Sequence, residues 1–186
     1  LKRTGRIGKA LPSMCVLVIK SDKDGNPVRA KSRIVVLGNF EDRYYTKSQR
    51  YAPVLKYSSL RLLCSKAVSD KRILQQGDCK NAFCHARLPD DELTVVRPPV
   101  GDPEYNNDTY WLLNKTLYGL RRSPQHWYNM FTAALKDMGL SPSAHDPCLF
   151  SGTVSSASPP RSVDKASSPQ SLPLPLQSPT EQLQSK

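Results

Sequence analysis

Gln75-Gln76-Gly77-Asp78-Cys79-Lys80-Asn81-Ala82-Phe83 and, further along, Leu117-Tyr118-Gly119-Leu120-Arg121-Arg122-Ser123-Pro124 with Trp127 decide how this chain is read. In the first stretch an aspartate follows the apolar pair Ile73-Leu74, which reads as a strand leading to Asp78, and an aromatic residue comes five positions later. An aspartate after a strand signals no chemistry by itself. The second stretch joins a glycine, which permits close backbone approach, to two cations that can meet phosphate oxygens or lie in an exposed basic loop. Ser123 then reads as a helix cap with Pro124 at the first helical position. Trp127, Met130, Phe131, Ala134, Leu135 and Met138 recur at helical spacing before Gly139, the clearest amphipathic helix in the chain.

Working towards the N-terminus, residues 15–20 are a short β-branched run, residues 21–27 are dense in turn formers and residues 28–37 are again strand-like, so the three predict a hairpin. Asp22 and Asp24 lack the remaining ligands of a calcium loop and read as turn residues. In the second strand Arg29, Lys31 and Arg33 alternate, which sets three cations on one face with Val28, Ala30 and Ser32 on the other. Such a row can grip phosphates. Ser58 and Ser59 read as caps of a helix carrying Leu60, Leu62, Leu63 and Ala67. Residues 88–91 read as a turn, 93–96 and 110–113 as short strands, and the proline-rich 97–103 as an extended connection.

The chain has 186 residues, enough for one domain with a core. Its 27 Lys and Arg against 16 Asp and Glu give a net charge of +11, a field that favours a polyanionic partner, nucleic acid first. The five cysteines are odd in number and scattered, unlike a secreted disulfide framework, which points to a reducing compartment inside the cell, cytoplasm or nucleus. Cys79, Cys84 and His85 have no second pair at zinc-finger spacing, so no structural zinc is expected. No apolar run approaches the roughly 20 residues of a membrane span, and the basic N-terminus leads into a strand rather than a signal peptide. The first residue is leucine rather than methionine, as expected of part of a larger reading frame. Residues 151–186 hold ten serines and six prolines and no aromatic residue, a composition that predicts a disordered tail. Within it Leu172-Pro173-Leu174-Pro175-Leu176 is suited to polyproline II.

The two opening stretches, with Tyr51-Ala52-Pro53-Val54, Asp146-Pro147-Cys148-Leu149-Phe150 and the Lys31-x-Arg33 pair, resemble in order the blocks of copia-type retrotransposon reverse transcriptases, from about Arg29 to Phe150. The resemblance implies an α+β fold, an incomplete polymerase palm and fingers over residues 1–150. It also implies deoxynucleotidyl transfer to a primer on an RNA or DNA template with Mg2+. By resemblance Asp78 is the catalytic, metal-holding aspartate, Lys31 and Arg33 contact the deoxynucleotide triphosphate, and Phe83 screens out a ribose 2'-hydroxyl. Gly119 lines the nucleotide site, while Arg29, Arg121 and Arg122 meet template-primer.

Gly77, Cys79, Ala86 and Gln125 depart from the family's usual residues. The family's Tyr-x-Asp-Asp hairpin, which supplies the other carboxylates, is absent from these 186 residues, and Asp90-Asp91 lies in a turn without flanking strand signals. The expectation is therefore a catalytically incomplete polymerase segment. It should also expose a sheet edge and an apolar helix face through which chains self-associate. Two readings stand beside it: a non-catalytic basic module that binds nucleic acid, and an unstable product of a decayed element.

Overall fold

Two β-branched runs joined by residues 22–26 pair as an antiparallel hairpin, β1 (Ser13–Ser21) and β2 (Pro27–Val36). At its tip Asp22 Oδ1 accepts the N–H groups of Asp24 and Asn26, each at 2.9 Å, so Asp22 serves the turn, as the sequence predicted. The computed structural model describes residues 9–106 and 108–153. The rest of the fold runs through α1 (Lys47–Arg50), α2 (Tyr57–Ser69), β3 (Thr94–Val96), β4 (Trp111–Leu113), α3 (Ser123–Asp137), β5 (Ser141–Pro142) and β6 (Phe150–Ser151). Short 3-10 turns lie at Gly38–Phe40, Ala82–His85 and Asp90–Glu92.

The described strands form three separate two-stranded sheets, β1-β2, β3-β4 and β5-β6. Leu11 adds to β3 in parallel: its N–H donates to Val95 O and its carbonyl accepts from Arg97 N, both at 2.8 Å. This brings Leu11 and Val96 against Val36 and Leu120, with Leu88, Leu113 and Leu117 packed around them. The core therefore gathers the end of β2, the middle of β3 and the segment before α3. No helix among the described residues is long and apolar enough to cross a membrane.

The strand expected at Ile73-Leu74 does not form. Residues 72–79 run outside any helix or strand, and Ile73 is 88% exposed. A strand exists only when a neighbour takes up its N–H and C=O groups, and no described segment pairs with this one. The 151–186 tail, with Leu172-Pro173-Leu174-Pro175-Leu176, lies outside the described residues beyond position 153.

Helix α2 starts differently from the serine-cap expectation. Its N-cap is Lys56, whose side chain makes no cap bond. The carboxylate comes instead from Asp146, 90 positions away: Oδ2 accepts Lys56 N at 2.9 Å and Ser59 Oγ at 2.6 Å, while Oδ1 accepts Cys148 N at 2.9 Å. An anion at a helix N-terminus meets unpaired N–H groups and the positive end of the helix dipole. The Ser59 bond first, then the Cys148 and Lys56 N–H bonds, hold the Asp146 pKa below the usual carboxylate value. A depressed carboxylate pKa stabilises the fold above the unfolded-state value and loses that contribution as pH falls through the folded-state value. Asp146→Asn is expected to lower the thermal midpoint by several degrees at pH 7. That difference should vanish on acidification towards pH 3, as read by circular dichroism melts across the range.

Candidate nucleotide and nucleic-acid site

The strand register sets one face of the hairpin. Lys20 lies opposite Arg29, Val18 opposite Lys31 and Val16 opposite Arg33, so the cations predicted to share a face do so and Lys20 joins them. Val16, Val18, Lys20, Lys31 and Arg33 line a shallow recess of about 140 Å³. Arg33 most of all, then partial desolvation, Lys20 and Arg29 hold the Lys31 pKa below that of an ordinary lysine, while the Asp78 carboxylate pulls the other way. The recess is thus rich in positive charge that an anion would relieve.

The 117–120 segment is docked backbone to backbone against the end of β2. Val36 N donates to Tyr118 O at 2.8 Å. Gly119 has φ +92°, and a Cβ there would sit 1.9 Å from Val36 O; a Cβ on Gly38 would sit 2.2 Å from Gly119 O. Both positions require glycine on space alone, and Gly119 on conformation as well. The docking carries the Tyr118 ring under Arg33, whose guanidinium carbon lies 5.4 Å from the ring centroid. Phe83 meets the same ring edge-on, with centroids 5.2 Å apart and planes at 65°. Thr116 Oγ1 donates to the Phe83 carbonyl, which fixes the turn at Ala82–His85 to the segment leading to Tyr118. Arg33, Tyr118 and Phe83, from three distant segments, are therefore in successive contact through the Tyr118 ring.

Asp78 is exposed in the unpaired stretch before that turn. The magnesium implied by resemblance needs several oxygens converging from different segments. Among the described residues no group of three His, Cys, Asp or Glu side chains is placed to hold a metal ion. The described residues alone thus do not fit a two-metal centre, and Asp90 and Asp91 stay in their own turn.

The two arginines after Gly119 part company. Arg121 is half-buried, its guanidinium donating to Asn39 O at 3.1 Å. Arg122 is turned inward: it pairs with Glu92, donates to Gln49 O at 3.2 Å and to Gln125 Oε1, and lies over the Tyr45 ring. Nε, Nη1 and Nη2 of Arg122, which the resemblance sets against template-primer, each donate to a partner inside the protein. Glu92, only 7% exposed, also meets His126 Nε2 at 2.9 Å. Burial first, then the Arg122 charge, push the His126 pKa down. Sequence reasoning missed Glu92 and His126. The visible signal was the i, i+4 spacing of Arg122 and His126, which puts both on one side of the helix start.

Ala52, Pro53, Phe83, Trp127, Phe131 and Phe150 are among the residues lining an apolar groove of about 250 Å³ beside α3. Trp127 and Phe131 stack there with centroids 5.3 Å apart.

The order of these blocks along the sequence is that of a nucleic-acid polymerase family. The family profile described as reverse transcriptase (RNA-dependent DNA polymerase) matches residues 4–157, and the chain belongs to that family. It is of the copia type, similar to retrovirus-related Pol polyproteins of plant transposons. It is 33% identical over 141 residues to that of transposon TNT 1-94 from Nicotiana tabacum, covering 75% of this chain and 10% of the relative. It is 30% identical over 131 residues to that of transposon RE2 (70% of this chain, 9% of the relative) and 31% over 132 residues to that of RE1 (70% and 9%), both from Arabidopsis thaliana. The chain thus spans about a tenth of the length of these curated relatives. No solved structure matches it.

Gly119→Ala is expected to cost about 3 kcal/mol in urea unfolding, since it adds a clash with Val36 O to left-handed strain. Gly25→Ala is the control. Gly25 has φ +88° and open space around it, so this change costs about 1 kcal/mol from conformation alone. Equal losses at the two positions would contradict the docking argument.

Proposed function

We propose that this chain is the nucleotide- and template-holding part of an RNA-directed DNA polymerase, comprising the fingers hairpin and the first portion of the palm. In the complete enzyme the reaction is deoxynucleotidyl transfer to a primer 3'-hydroxyl on an RNA or DNA template. Lys31 and Arg33 take the triphosphate, Phe83 faces the sugar, Gly119 keeps the backbone close beside them, and Asp78 supplies one carboxylate to magnesium. Arg29 and Arg121 meet the template-primer backbone, and Arg122 holds the scaffold behind them. The observation that carries this reading is the convergence of Lys31, Arg33, Asp78 and Phe83. The cations come from one strand, the Asp78 carboxylate acts on Lys31, and the Tyr118 ring meets both Arg33 and Phe83.

The 186-residue polypeptide on its own binds nucleic acid without extending a primer. Two-metal transfer depends on carboxylates beyond Asp78, and no Tyr-x-Asp-Asp occurs in the chain. Affinity for a primer-template should fall steeply with salt. Replacing Arg29, Lys31 and Arg33 together by alanine should reduce the log–log slope by about two to three. Binding indifferent to salt would remove the phosphate assignment. Primer extension in magnesium that is lost in Asp78→Asn would show that the isolated chain is a working polymerase.

Chains also associate with one another through the free edges of the β1-β2 hairpin, whose Leu17 and Ile19 are 75% and 69% exposed. Sedimentation velocity should then show a weight-average mass that rises with concentration. A mass that stays at the 20.8 kDa monomer across the range would refute this.

A further inference from the structure

We infer that Tyr118 is a positioning residue that couples the triphosphate grip of Arg33 to the sugar screen of Phe83, and so sets the preference for deoxyribonucleotides. The inference rests on the nucleotide reading above and adds a residue to which that reading gives no role. Arg33 sits on an exposed strand of a two-stranded hairpin, where a long cationic side chain has many rotamers to choose from. The Tyr118 ring removes much of that freedom, because the guanidinium lies over its face at 5.4 Å. The opposite constraint holds the ring itself. Its backbone carbonyl accepts Val36 N, and its neighbour Gly119 is wedged against Val36 O, so the main chain that carries the ring has a fixed place beside the hairpin.

Phe83 packs edge-on against the same ring, and its own carbonyl accepts the Thr116 hydroxyl two residues before Tyr118. The cation for phosphate and the ring beneath the sugar are thereby referred to one aromatic plate. That common reference has a chemical consequence. A screen rejects a 2'-hydroxyl only if the nucleotide cannot slide away from it. A triphosphate held at a fixed offset from Phe83 turns the extra hydroxyl into a collision, whereas one held by a wandering arginine lets the sugar shift and escape. Tyr118 supplies the fixed offset without touching the nucleotide.

The test is binding of deoxyguanosine triphosphate and guanosine triphosphate, with magnesium, to the full chain by isothermal calorimetry, with circular dichroism confirming the fold of each variant. Tyr118→Phe keeps the ring and should stay within about twofold of the unchanged chain for both ligands. Tyr118→Leu should weaken the deoxynucleotide about three- to fivefold and bring the deoxy-to-ribo affinity ratio close to one. Arg33→Lys, on the exposed strand, keeps the charge but loses the planar stack. It should lower the same ratio, and the double variant Tyr118→Leu/Arg33→Lys should be no worse than the more affected single one.

A ratio unchanged in Tyr118→Leu and Arg33→Lys, or effects that simply add, would overturn the coupling while leaving the nucleotide site intact. Absence of triphosphate binding by the unchanged chain, with Arg33→Lys equally silent, would overturn the nucleotide reading and this inference with it. A purely structural role for Tyr118 would lower both affinities together and leave the ratio where it was.

Discussion

Everything in this fold that positions chemistry depends on one close contact between two pieces of backbone, residues 36–38 and 118–120. Val36 N reaches Tyr118 O, the Cα of Gly119 abuts Val36 O, and the Cα of Gly38 abuts Gly119 O. Side chains cannot make this contact, because any Cβ would hold the segments apart. The same contact buries Val36 and Leu120 beside Leu11 and Val96, so the small core and the candidate site share a foundation. It is also the attachment of an otherwise projecting hairpin. The cationic face of β2 has a defined place relative to Phe83 because Val36 is locked three residues beyond Arg33.

Arg122 and the cations of the hairpin differ sharply in their surroundings. Arg122 has a buried carboxylate, two amide side chains or carbonyls and an aromatic face as partners, and its charge is consumed in joining α1, the Asp90–Glu92 turn and the start of α3. Removing one member of such a buried pair strands the other in a low-dielectric setting, so its purpose is to fix geometry. Arg33, Lys20 and Arg29 instead crowd Lys31 on one face of the hairpin, and the Asp78 carboxylate acts on it in the opposite direction. Mutual repulsion of this kind is what a bound anion would relieve.

Local patterns were legible in the sequence and long-range ones were not. The β1-β2 hairpin, β3, β4 and α3 follow from alternation, turn formers and helical periodicity, all of which act within a few residues. The α1 turn was equally visible, since Thr46 and Gln49 form a capping box, but so short a helix carries no periodicity to draw the eye. Ile73-Leu74 has strand composition and no partner, and pairing is decided by residues elsewhere. Ser123 has the right identity for a cap, yet its hydroxyl donates to Leu117 O at 2.6 Å and Arg122 stands at the N-cap. The roles of Asp146 and Glu92 depend on partners 90 and 30 positions away, a separation at which spacing carries no information. Of the candidate site, the shared face of Arg29, Lys31 and Arg33 was readable from strand geometry alone, whereas the Tyr118 stack was not.

Helix α2 buries a single residue, Ala67, while Leu62 and Val68 on its surface stay open to water. Thirteen residues of regular hydrogen bonding are thus moored at one end by a carboxylate and elsewhere by very little. Among the described residues so little packs against α2 that its amides are expected to open independently of the core. Its amides should trade deuterium long before those around Val36 and Val96, so the molecule has a soft limb attached to a firm centre.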